Sequence, residues 1–162
     1  MGSNKPIKRG KFLTDLKMGK KMEEYVGNMY KEHFYPTCDY ISYHVGKEYD
    51  VSLSFPRKDS IHLEVKYDKM ANKTGNLCLE LFDHKSQPSG ILATQAHFII
   101  FVLTKNLMFE FDVCRLREFV RYHITMGTHK IVKGGDGRAF EMMLVPIEAI
   151  EKEDFCTRIE IS

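Results

Sequence analysis

The sequence predicts an α/β protein with a mixed central sheet. Three observations carry that expectation. A long amphipathic helix comes first. Runs that alternate apolar and polar residues follow it. Residues 97–104 are then almost continuously apolar, as a strand covered on both faces must be. The chain has 162 residues, enough for a substantial core, and reads as a single domain over 1–162.

Residues 12–34 form the helix. Phe12, Leu16, Gly19, Met22, Val26, Met29, Tyr30 and Phe34 fall on one stripe at helical spacing. Glu23 lies inside that stripe and Glu24 outside it. Pro36 ends the helix. Residues 49–55 alternate, with Val51, Leu53 and Phe55 opposite Asp50, Ser52 and Ser54. Pro56-Arg57-Lys58-Asp59 is a turn. Residues 61–68 alternate again, with Ile61, Leu63, Val65 and Tyr67 opposite His62, Glu64, Lys66 and Asp68, so the two runs read as a hairpin. After a polar loop, 77–82 is a third strand. Pro88-Ser89-Gly90 opens a short helix through Gln95. Residues 97–104 and 107–113 are strands, and 115–123 is a second amphipathic helix. Residues 130–132 and 139–145 form a hairpin around Gly134-Gly135-Asp136-Gly137. A helical turn at 147–150 and a strand at 157–161 close the chain.

Composition narrows the function classes. Lys+Arg is 24 and Asp+Glu 22, a formal net charge of +2, with 43% hydrophobic residues. That excludes a disordered chain and a highly basic nucleic-acid tail. No apolar run approaches the ~20 residues a bilayer demands. The charge is nonetheless uneven. Residues 1–31 hold eight bases and three acids, and 148–162 hold five acids and two bases. The basic stretch reads as a solvated helix face or as a lean toward phosphate backbone. The four cysteines contain no CxxC pair and the seven histidines no ligand spacing, so zinc and a disulfide framework are not expected. An intracellular, cytoplasmic setting follows. The eight tyrosines and eleven phenylalanines fall mostly at core periods and read as core.

The chemistry concentrates at Asp50 and Glu64-Val65-Lys66. Glu64 and Lys66 lie two apart on a strand, so they share a face about 6.6 Å apart. Asp50, on the polar side of its own strand, can face Glu64. Two carboxylates ~4 Å apart repel by ~4 kcal/mol at an effective dielectric of ~20. A divalent metal reverses that sign. Oxygen donors select hard cations, Mg²⁺ first and Mn²⁺ as substitute. Lys66 would then orient a water and offset developing charge. A Glu23 carboxylate buried in a helix stripe is costly unless paired or metal-bound, and can point at the same cluster or snorkel from the stripe's edge. Glu80, on the polar side of the third strand, completes a second metal site or simply faces solvent. His62 shares the face of Glu64 and Lys66 or lies at the rim. Lys69 and Lys73, just after the cluster, are placed to meet a nucleic-acid backbone.

Asp50, thirteen intervening residues, Glu64-Val65-Lys66, and a preceding helix with Gly19-xxx-Glu23-xx-Val26 together resemble the PD-(D/E)XK nuclease superfamily. The resemblance covers about residues 12–104. It extends to Thr74-Gly75-Asn76-Leu77-x-x-Glu80, Ser89-Gly90-Ile91 and Thr94-x-Ala96, similar to small nuclease-like proteins of phages and mobile elements. Tyr49 stands where the name-giving proline would be. The resemblance implies a restriction-endonuclease-like αβββαβ core with a mixed sheet, and C-terminal additions over 105–162. It implies Asp50, Glu64 and the Val65 carbonyl as metal ligands, Lys66 as catalytic, and Glu23 as a ligand in some branches. Gln95 corresponds to a polar residue that holds water or substrate. The expected function is Mg²⁺-dependent endonuclease hydrolysis of DNA, duplex or branched as in recombination, by a homodimer with no membrane partner, in a phage-infected host cell. The alternatives are an RNA-cleaving enzyme of the same fold and a catalytically inactive binding module.

Overall fold

The computed structural model describes residues 9–46, 48–134 and 140–162, with side chains from residue 17. Helix α1 (Arg9–Met29) is the first element of the described residues and runs into one π-helical turn, Tyr30–Phe34, where Tyr35 N–H donates to the Tyr30 carbonyl at 2.8 Å. Together they match the expected helix. Among the described residues nine strands follow: β1 (Tyr40–Tyr43), β2 (Val51–Phe55), β3 (Lys58–Tyr67), β4 (Asn76–Phe82), β5 (Phe98–Thr104), β6 (Leu107–Asp112), β7 (Lys130–Gly134), β8 (Phe140–Pro146) and β9 (Cys156–Glu160). Helices α2 (Ala71–Thr74), α3 (Val113–Met126) and α4 (Ile147–Ile150) lie between them. Asp112 caps α3 by accepting from Arg115 N–H, and Gly127 closes it in the left-handed conformation.

The main sheet has the order β1-β2-β3-β5-β6-β9. The β3–β5 pair is parallel and the other pairs are antiparallel, so the sheet is mixed. The hairpin turn is tighter than expected. Phe55 pairs with Lys58, leaving only Pro56 and Arg57 between the strands. On one face α1 buries Met22, Val26, Met29 and Tyr30 against Val51, Leu53, Leu63, Ile100 and Val102. Gly27 admits β1 there, because a Cβ would meet the Tyr43 hydroxyl at 3.0 Å. On the other face Ile99, Phe101 and Leu103 join Phe109, Phe111, Leu77, Leu79, Leu81, Met143 and Val145, with Leu116 and Val120 of α3. Strand β5 is therefore covered on both sides, which is why its sequence is apolar throughout.

Three expectations need correction. Strand β4 is not the third strand of the central sheet; it forms a second, three-stranded sheet, β4-β8-β7. The alternation of Leu77, Leu79 and Leu81 identifies a strand with one buried face but not its neighbour. The place left open is taken by β1, a four-residue edge strand whose half-exposed residues carry no apolar alternation. The helix expected over 88–95 is only a 3₁₀ turn, Gly90–Leu92, and its side of the main sheet is covered mostly by the second sheet. The segment 105–162 is not an appendage, since β6 and β9 complete the main sheet and β7 and β8 pair with β4. Gly135, Asp136 and Gly137 lie outside the described residues.

Candidate active site

The β2–β3 register fixes the first part of the site. Val51 lies opposite Leu63 and Ser52 opposite His62, with Val51 and Leu63 turned toward α1. Alternation puts Asp50 and Glu64 on the other face. Glu64 and Lys66 stand beside Ile99 and Phe101 of β5, on the side of the second sheet. Ladder pairing between β2 and β3 stops at Leu63, where Asp50 N–H donates to the Leu63 carbonyl at 3.0 Å. One turn of pleat further on, the Asp50 side chain replaces the missing strand, because its Oδ2 accepts from Val65 N–H at 2.8 Å. The Val65 side chain packs with the α1 core.

Glu64 is 8% exposed, one of three buried polar or charged residues among those described. Its Oε1 lies 2.6 Å from Lys66 Nζ and its Oε2 accepts from Thr94 Oγ1 at 3.2 Å. Burial pushes the Glu64 carboxyl upward, with Asp50 adding to the shift and Lys66 and Thr94 opposing it. Burial also raises Asp50, against the Val65 N–H and Lys66. Glu23 of α1 is half-buried and raised by burial, then by Asp50 and Glu64. Burial opposes charge on Lys66, but Glu64, Asp50 and Glu80 more than offset it and hold the ammonium above its ordinary value. The three acids and the lysine thus feel one another electrostatically.

A cleft of ≈ 390 Å³ is lined by Asp50, Glu64, Lys66, Glu80, Ser89 and Thr94. A second hollow of ≈ 360 Å³ shares Asp50 and Gly46 with it and holds Glu23, Lys20 and Tyr43. Asp50 therefore sits at the junction, with Glu23 on one side and Glu64 on the other. Glu80 enters from β4, its Oε1 accepting from the Ser89 hydroxyl. The reading of Glu80 as a solvent-facing glutamate gives way to a place in the cleft wall. The close contact is possible because residue 90 is glycine. Its φ is +50°, and a Cβ there would lie 2.6 Å from the Glu80 carbonyl oxygen.

The other sequence candidates lie further out. Lys69 Nζ sits 5.4 Å from the Tyr67 ring centroid, and Lys73 is exposed on α2. The Gln95 side chain is exposed, while its backbone N–H donates to the Glu48 carbonyl at 2.7 Å. His62 stacks on Tyr49 at 3.9 Å and 10°, within a ring series that includes His44 and His97, so it belongs to the rim.

Thr94 and Arg117 were not legible as site residues. Thr94 is 3% exposed and touches Glu64. Arg117 of α3 donates to the Ile91 and Thr94 carbonyls. Only the Thr94-x-Ala96 pattern pointed to this segment, and nothing in α3 pointed to Arg117.

The donor set is all oxygen, and Asp50 raises the pKa of both Glu23 and Glu64, a crowding that a hard cation satisfies. Among the described residues, no three His, Cys, Asp or Glu side chains are drawn together closely enough to hold an ion as they stand. No helix among the described residues is long and apolar enough to cross a membrane. No family model matches the chain, and neither a curated protein nor a solved structure matches it.

Proposed function

We propose that the chain is a metal-dependent nuclease of the PD-(D/E)XK type, hydrolysing phosphodiester bonds in DNA. The observation that carries this reading is the meeting of Asp50, Glu64, Lys66 and Glu80 in one cleft, with Glu23 in the adjoining hollow. A fold gains no stability from gathering desolvated carboxylates, so their convergence calls for a cation. The helix α1 on the mixed sheet and the parallel β3–β5 pair are the features in favour of a restriction-endonuclease-like core, in which the second helix is reduced to the Gly90–Leu92 turn.

Asp50 and Glu64 would hold Mg²⁺ or Mn²⁺, with Glu23 and the Val65 carbonyl as further donors and Glu80 at a second position. The bound cation would polarise a phosphoryl oxygen and lower the pKa of a water. Lys66 places an ammonium beside the carboxylates, where it orients the attacking water and offsets charge developing on the phosphate. Lys69 and Lys73 would meet the backbone of the bound strand and Gln95 the substrate at the rim. A second copy of the chain would serve cleavage of the second strand.

The test is a cleavage panel. Single-stranded, duplex, nicked, flapped and four-way DNA, with RNA beside them, are incubated with Mg²⁺, Mn²⁺ or EDTA. Metal-dependent cleavage of DNA is expected, and cleavage of RNA alone would move the enzyme to the other substrate. One observation favours a second reading, a nucleic-acid-binding module without catalysis: Glu64 is already engaged by Lys66 at 2.6 Å. Gel-shift binding without cleavage in either metal would select it.

A further inference from the structure

We propose that Thr94 is the residue that positions Glu64 for cation binding, and that the 89–96 turn, fixed from behind by Arg117, is its mount. This rests on the cleft being a cation-holding phosphodiesterase site.

The two Glu64 oxygens have different partners, Lys66 Nζ for Oε1 and Thr94 Oγ1 for Oε2. Together they fix the plane of the carboxylate. Lys66 alone is the weaker constraint, because its side chain is long, 37% exposed and ends in three rotatable donors. Thr94 is of the opposite kind. It is short, β-branched and 3% exposed. Its hydroxyl oxygen accepts from Ala96 N–H at 3.2 Å and lies 2.9 Å from the Glu48 carbonyl, so a rotation away from Glu64 would orphan a buried backbone N–H.

The same contacts connect Glu64 to Asp50. The Glu48 carbonyl, two residues before Asp50, accepts from Gln95 N–H and shares the single Thr94 hydroxyl proton with Glu64 Oε2. The turn therefore holds the segment entering Asp50 as well as the Glu64 carboxylate. At its other end Ser89 donates to Glu80. Arg117 braces this turn beyond its own backbone hydrogen bonds. Its Nε donates to the Ile91 carbonyl at 2.8 Å and its Nη2 to the Thr94 carbonyl, so a single planar fork spans the turn from α3.

Partners that orient metal ligands typically contribute 10–100-fold to metal affinity or activity. The experiment is calorimetric titration of the full chain with Mn²⁺ alone, on wild type, Thr94→Val and Thr94→Ser, with thermal unfolding to confirm that each variant is folded. Thr94→Val is expected to weaken Mn²⁺ uptake by about 10–100-fold, and Thr94→Ser, which keeps the hydroxyl, to stay near wild type. Wild-type uptake in Thr94→Val, or an equal loss in Thr94→Ser, overturns the proposal and leaves the nuclease reading intact. No Mn²⁺ uptake by the wild type overturns both. If Thr94→Val does not fold, Arg117→Lys decides. A single ammonium cannot span both carbonyls, so weakened uptake in the folded variant sustains the proposal and unchanged uptake overturns it.

Discussion

Glu110 and Glu64 are carboxylates withdrawn from solvent on opposite faces of the same sheet, and they are treated differently. Glu110 of β6 lies on the α1 side, where the fully buried Tyr30 donates its hydroxyl to Oε2. Burial raises its pKa and the Tyr30 hydrogen bond opposes the rise. Glu64 has a lysine at one oxygen, a hydroxyl at the other, and Asp50 acting against it. A neutral donor satisfies this half-buried acid and ties α1 to the sheet. Around Glu64, burial and Asp50 outweigh the lysine and the hydroxyl, so its carboxyl stays above the ordinary value. Burial alone therefore does not mark a site; like-charged company does.

The largest expected effect separates the two regions by activity. Glu64→Ala and Lys66→Ala should each lower metal-dependent cleavage by about 10²–10³-fold or more, with circular dichroism unchanged. Tyr30→Phe should cleave normally. The next contrast is thermal. If Mn²⁺ binds the folded chain alone, a concentration of 100 Kd adds about 2.7 kcal/mol, a rise in Tm of about 5–10 °C for a chain of this size. Tyr30→Phe should show that rise in full and Glu64→Ala should not. Without metal the order inverts. Tyr30→Phe leaves the Glu110 carboxylate without its donor and should cost about 1–3 kcal/mol, read by denaturant unfolding. A Tyr30→Phe variant as stable as wild type would break the comparison.

The smallest effect tests the crowding itself. The folded pKa of Glu23 is raised by burial and by Asp50, so its ionisation opposes folding. Its contribution is favourable at low pH and is lost as pH rises from the unfolded carboxylate value through the raised folded one. Glu23→Gln should therefore raise the metal-free Tm slightly at neutral pH, with no gain in acid. The effect is small because Glu23 is partly exposed and screened. A loss of stability at neutral pH would show that Glu23 is held by attraction instead.

Asp50, Glu64 and Lys66 could be placed together from the chain alone because strand alternation is a two-residue rule that a hairpin carries across to its partner. Glu23 stands out because a charged residue in an apolar helical stripe is conspicuous, but the stripe alone leaves open whether it turns to the cluster or to solvent. The remaining parts depend on contacts distant in sequence. Leu77, Leu79 and Leu81 look alike whether their strand joins β3 or β8. The partner is settled by the left-handed Gly75 after α2 and by the chain returning at 140–146. Thr94 sits in a turn with no periodicity, and Arg117 acts across 23 residues on a backbone carbonyl that no side-chain pattern announces.

Gly90 bears on how this chain can change over generations. Alanine, the smallest departure, already meets two obstacles there: a backbone angle that side chains avoid and a carbonyl oxygen in the space the methyl would need. No graded series of replacements is open, so tolerance at this position has to be created elsewhere first, by moving β4 or lengthening the turn. Either change alters the gap between the two sheets, and with it the spacing of every oxygen donor that faces the cleft.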